Sequence, residues 1–150
     1  MVHPQPSDRF SQADDNALVL SGTVGGTRVL LLSDLGRPGQ DALRERIPDL
    51  RTDILVTGLP VQNEAVCDAF LDAVQPRVIV VADSELPAAE RASSRLHERL
   101  ERRSIPVIYT RPAGAATIEW RGSQWELRTR SGSRIMSQQP APQTNAPAGK

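Results

Sequence analysis

The stretch Gly25 to Gly36, GGTRVLLLSDLG, constrains this chain more than any other. Two glycines permit a tight reversal, Thr27 to Leu32 supply a β-branched and aliphatic run, and Asp34 falls where such a strand leaves its sheet. A carboxylate at a strand end is a natural ligand position. What the chain can do therefore turns on whether Asp34 has partners.

With 150 residues, 39% of them hydrophobic, one domain with a sizeable core is the default. Lys plus Arg equals Asp plus Glu at 18 each, so any attraction to nucleic acid or a membrane surface has to be local. The single lysine is Lys150, which excludes Schiff-base chemistry and a Walker-type phosphate loop. Cys67 has no second cysteine to pair with, and no apolar run approaches the ~18 residues of a spanning helix. The opening MVHPQPSDRF does not read as a secretory signal. The expectation is a soluble, reducing, cytoplasmic setting for the isolated chain, or attachment to a membrane protein within a longer parent.

Residues 1–16 read as an irregular lead-in, 17–130 as the domain and 131–150, rich in Ser, Gln, Pro and Ala, as a disordered tail. Within the domain, Ala17 to Ser21 is expected to pair antiparallel with Arg28 to Ser33 across Gly22 to Gly26, the turn type left open. Pro38 suits the first turn of a helix to Arg46. Asp53 to Thr57 is a short buried strand, and a helix from Asn63 as N-cap to Val74 carries an apolar stripe of Val66, Phe70 and Val74. Arg77 to Ala82 is apolar without alternation, which implies cover on both faces. A helix from Ala88 to Arg103 turns Ala89, Ala92, Leu96 and Leu100 inward, and Pro106 to Thr110 is the next strand. Gly122-Ser123 then closes a type II′ hairpin that sets Trp120 opposite Trp125, Ile118 opposite Leu127 and Glu119 opposite Glu126.

Several local motifs resemble the metallo-β-lactamase-like domain of the ComEC-type DNA-internalisation competence proteins of bacteria, over about residues 2 to 130. Val2-His3-Pro4 is similar to its strand-ending His-Pro segment, and Asp15 to Leu20 to its asparagine-led strand. Leu31-Leu32-Ser33-Asp34 resembles its Leu-Leu-Thr-Gly-Asp motif, and Phe70 to Val78 its next helix and strand. The resemblance implies an α/β fold, the C-terminal half of an αββα sandwich: a mixed β-sheet with helices on one face. It also implies a metal-bridging role for the aspartate at Asp34.

The ligand motifs depart from the family. Gly58 is followed by Leu59 and Pro60 in place of paired histidines, and the later His-Pro becomes Leu86-Pro87. The histidine-rich first motif belongs to the N-terminal half of the domain, which this sequence does not contain. Zinc and manganese hydrolases need several imidazoles and carboxylates around an open position. Here His3 and His97 are far in sequence from Asp34. The resemblance thus implies a catalytically inactive domain with no cofactor and a binding or structural role in DNA uptake. The alternative is a nuclease or phosphodiesterase whose zinc or manganese site is completed by a partner chain. A half-sandwich would leave strands such as Arg77 to Ala82 bare on one face, so a homodimer or a separate N-terminal half is expected to cover them. A third reading, a stand-alone ligand-binding module, predicts a doubly wound sheet and a monomer.

Other residues carry paired readings. Asp34 and Asp83 are strand-end or capping carboxylates first and metal ligands second, and the lack of a lysine argues against a receiver-like acidic pocket. Arg91, Arg95, Arg99 and Arg103, spaced every four residues, form either a solvated face or a phosphate-binding ridge through which DNA could be held. Trp120 and Trp125 beside Arg121, Arg128, Arg130 and Arg134 are core closure first and a stacking platform second. Ser33 lacks the setting of a hydrolase nucleophile, and Cys67 reads as a packed thiol.

Overall fold

The computed structural model describes residues 1–62, 64–88 and 91–137. After a 3₁₀ turn at Asp14–Asn16, β1 (Leu20–Val24) and β2 (Thr27–Leu31) form an antiparallel hairpin with Val24 opposite Thr27. Gly25 and Gly26 alone make the turn, at φ +55° and +80°, the type I′ pattern. The strand therefore runs later than the expected Ala17 to Ser21, and Val19 bridges to His3 instead. A Cβ on Gly25 would lie 2.1 Å from the Gly122 carbonyl oxygen, so this tip abuts the turn of the later hairpin.

Three crossover units follow. α1 (Arg37–Arg46) leads to β3 (Ile54–Thr57), α2 (Asp68–Val74) to β4 (Val78–Val81), and α3 (Ser94–Glu101) to β5 (Val107–Tyr109). The large sheet has the order β1-β2-β3-β4-β5, parallel from β2 onward. Pro38 sits in the first turn of α1, where its missing N–H costs nothing. The other two helices are shorter than their sequence suggests. Asn63 lies outside the described residues, and α2 starts only after Cys67. α3 starts after Ser93, whose Oγ accepts from the Leu96 N–H and so fixes the N-terminus; Ala89 also lies outside the described residues.

A short helix α4 (Thr110–Ala113) connects to a second sheet of β6 (Ala116–Arg121), β7 (Gln124–Thr129) and β8 (Arg134–Met136). The hairpin register is the expected one: Trp120 faces Trp125, Ile118 faces Leu127 and Glu119 faces Glu126. Gly122 has φ +62° and Ser123 is not in the left-handed region, as type II′ requires. Arg128 reaches Glu119 and Glu126, offsetting the carboxylate pair. The tail expected from Ser131 begins otherwise: β8 pairs Ile135 with Leu127 and adds a third strand. Residues 138–150 lie outside the described residues.

Alternation along the central strands sorts their side chains between two cores. Leu30, Leu55, Ile79 and Val81 pack with Leu43, Phe70, Leu71, Val74, Leu96 and Leu100 of the three crossover helices. Ile54, Val78, Val80 and Ile108 point the other way, onto Trp125, Leu127 and the half-buried Ile118, Trp120 and Ile135. β4 is thus buried on both sides, as its unbroken apolar run demands. The expectation that this strand stays bare until a partner covers it is overturned, because the chain folds its own second sheet across it. Nor is the large sheet doubly wound, since α1, α2 and α3 share one face. Exposed apolar surface is found instead on Leu20, Val24 and Leu31 of the β1–β2 edge and on Leu18 just before it. No helix among the described residues is long and apolar enough to cross a membrane.

Candidate functional site at the carboxyl ends of the strands

Parallel strands deliver their following loops to one end of a sheet, the usual place for ligands in open α/β folds. Here backbone bonds draw those loops together. The Gly58 N–H donates to the Ser33 carbonyl at 2.6 Å, and the Ala82 N–H to the Thr57 carbonyl at 2.8 Å. Gly58 eases the first approach, because a Cβ there would sit 3.1 Å from the Ser33 carbonyl oxygen, a tight contact. Between the loops opens a cleft of about 500 Å³ lined by Leu18, Leu20, Leu31, Leu59 and Val61, with Ser33, Asp34 and Thr57 as its polar side chains.

Asp34 is half-buried in this cleft, and its Oδ1 accepts a hydrogen bond from Ser33 Oγ at 2.9 Å. Nothing imidazole-bearing joins it. His3 is fully buried elsewhere, its Nε2 2.7 Å from the Asp15 carbonyl oxygen and its Nδ1 3.4 Å from Asp8. His97 stacks on Tyr109 with ring centroids 4.1 Å apart. Asp83 is also engaged: its Oδ1 accepts the Arg111 N–H at 2.8 Å at the start of α4, and Arg111 Nε lies 3.4 Å from Oδ2. Asp83 does not line the cleft, so it and Asp34 do not form one acidic pocket. Among the described residues no three His, Cys, Asp or Glu side chains converge in a way that could hold a metal ion. Leu86 lies 78% exposed on its loop and lines neither this cleft nor the next.

Beyond Leu59 and Pro60 lies a second cavity of about 650 Å³. Arg37, Arg91, Arg95 and Arg99 line it, with Glu64 as the carboxylate of its wall. The spacing of every four residues suggests one helical ridge, yet α3 carries only Arg95 and Arg99; Arg91 precedes it and Arg103 follows it. Arg103 is held by Asp68 and Asp72, each at 2.7 Å, away from this cavity. Arg99 is 5% exposed and works as a structural cation: Nη1 donates to the Ala65 and Val66 carbonyls at 3.0 and 3.3 Å, and Nη2 pairs with Glu64. Burial first, and then repulsion from Arg102, Arg103 and Arg37, pushes the Arg99 guanidinium below its ordinary value. Hydrogen bonding to Asp41 pushes Arg37 the other way.

Gln40, absent from the sequence reading, organises this wall. It is fully buried on α1, its Nε2 donating to the Leu35 and Glu64 carbonyls and its Oε1 accepting the Cys67 N–H, each at 2.9 Å. Together Gln40 and Arg99 pin residues 64–67 in a non-helical path, which is why α2 begins late. A polar residue within an amphipathic helix reads as surface, so neither Gln40 nor Glu64 gives a signal in the sequence. Cys67 is buried and packed, as expected. Trp120 and Trp125 belong to the second core, with Trp125 only 4% exposed, so Trp125 offers no free stacking face.

No family model matches this chain. It is similar to ComE operon protein 3 of Bacillus subtilis (strain 168), at 24% identity over 121 residues. That match covers 81% of this chain and 15% of the relative, so the chain spans a small part of the protein it resembles.

Proposed function

We infer that this chain is a non-hydrolytic, metallo-β-lactamase-like module related to the competence proteins, with a binding or structural role in DNA uptake in the cytoplasm. The observation that carries this reading is the makeup of the strand-end cleft: Asp34 shares it with Leu18, Leu20, Leu31 and Leu59, and no imidazole lines it among the described residues. A hydrolytic metal needs three or more converging ligands and a water. The similarity to ComE operon protein 3 supports the competence side of the reading. The uncovered β1–β2 face, with Leu18 50% and Leu31 41% exposed, supports a partner there, either a second copy or a separate N-terminal half.

A second reading keeps a specific point in its favour. Asp34 has one hydrogen-bond donor and opens onto solvent, so a partner chain could bring imidazoles to it and complete a zinc or manganese site for a nuclease or phosphodiesterase. One experiment separates the two: metal content of the purified full chain, and cleavage of labelled single-stranded and duplex DNA with manganese present. The first reading expects no stoichiometric metal and bound, intact DNA. Stoichiometric zinc or manganese, with cleavage abolished by Asp34→Asn, overturns it in favour of the second.

A further inference from the structure

We propose that the cavity between Leu59-Pro60 and the start of α3 is an oxyanion site that takes a phosphate group of a nucleic-acid backbone, with Arg95 and Arg91 as its main contacts and Arg37 at its rim. The choice of nucleic acid rests on the function proposed above; the phosphate chemistry does not. Among the described residues, four guanidiniums line this cavity against one carboxylate, Glu64, which is already shared by Arg99 and Arg37. Arg37 is further tied to Asp41 at 3.1 Å and Arg91 to Glu85 at 2.8 Å. Arg95 is exposed and, among the described residues, has no hydrogen-bond or ion-pair partner. Among the described residues the positive charge is therefore only partly balanced, and most of the imbalance sits on Arg95.

The backbone adds to this. Ser93 caps α3 by accepting from Leu96, which leaves the Ser94 and Arg95 N–H groups without acceptors among the described residues. Both stand at the positive end of the helix dipole. The wall is preformed, because Gln40 and Arg99 saturate the carbonyls of residues 64–66 from within. Leu59, Pro60, Ala65 and Leu96 supply apolar lining, which strengthens the attraction between guanidinium and phosphate. Planar guanidinium groups match the oxygens of phosphate two at a time. Arg99 acts here as a positioning residue, since its own donors face protein atoms.

The test measures binding of a short labelled oligothymidylate to the full chain by fluorescence anisotropy over a salt series. Inorganic pyrophosphate serves as competitor, and the amide shifts of Ser94 and Arg95 are followed. Arg95→Ala is expected to weaken the oligonucleotide about tenfold and to lower the salt slope by about one. Arg91→Ala should act in the same direction. Arg121→Ala, an equally exposed cation on the distant hairpin, should change little, and pyrophosphate should compete while moving the two amides. If the oligonucleotide binds and Arg95→Ala leaves its affinity unchanged, the site is overturned while the DNA-binding reading stands. If pyrophosphate moves the amides and the oligonucleotide does not bind, the oxyanion site stands and its nucleic-acid ligand is overturned. Loss of affinity in Arg121→Ala equal to that in Arg95→Ala overturns the assignment to this cavity.

Discussion

The face of the large sheet opposite the helices is covered over β3 to β5 and the Thr27–Val29 part of β2, and open over β1 and the Leu31 end of β2. On the covered part, Val78 and Val80 are 0% and 4% exposed beneath Trp125 and Leu127. On the open part, Leu20 and Leu31, opposite each other in register, remain about two-fifths exposed. The difference teaches that the chain covers most of this face with its own C-terminal strands. What is left bare is an edge and the cleft beside it rather than a whole sheet.

The sharpest way to break this comparison is to remove cover from the first part and side chains from the second. Trp125→Ala is expected to cost about 3 to 5 kcal/mol in urea unfolding, since it opens a cavity over β4. Gly25→Ala adds a Cβ at positive φ and against the Gly122 carbonyl oxygen, where the two sheets' turns meet; about 1 to 3 kcal/mol should be lost. Gly26→Ala, at positive φ but with nothing within 4 Å, should cost less, and equal losses would show that the abutment is immaterial.

Gln40→Ala tests the helix-covered face. It removes the partner of two carbonyls and one N–H, at about 1 to 3 kcal/mol, and faster amide exchange should be confined to residues 64–67 if the pinning is local. Acid should act through the lead-in packed beside the open edge. The Gln5 backbone N–H, and then Arg46, hold the Asp8 carboxyl below its ordinary value. A depressed folded-state value contributes stability above the unfolded value near ~4 that is lost as pH falls through the folded one. The urea midpoint of Asp8→Asn should consequently fall less than that of the parent between neutral pH and about pH 3. Smallest of all, Leu20→Ser or Leu31→Ser should change stability by under about 0.5 kcal/mol while lowering self-association in size-exclusion chromatography. A loss as large as that of Trp125→Ala would mean that the open face is covered in the isolated chain.

Much of the architecture was legible where a local rule fixes geometry. The Gly122-Ser123 turn dictates every pair of β6 and β7, and the unbroken apolar run of β4 required cover on both faces. What supplied that cover was not legible, because it depends on packing between Val80 and Trp125, 45 positions apart in sequence. β8 was missed because Arg134-Ile135-Met136 offers one inward apolar residue within a polar tail. The site was half visible: Asp34, Leu59 and Pro60 stand in the loops at the strand ends, whereas the arginine series was cut by the start of α3 that Ser93 sets.

The sequential strand order has a consequence for how the molecule is made. From β3 onward each strand of the large sheet docks beside its predecessor after one crossover, so the sheet can grow outward from the hairpin during synthesis. Its outer layer comes last, from β6 to β8. A chain still on the ribosome would display Val78, Val80 and Ile108 to water until those final strands emerge, which makes that interval the one in which chaperone capture competes with completion.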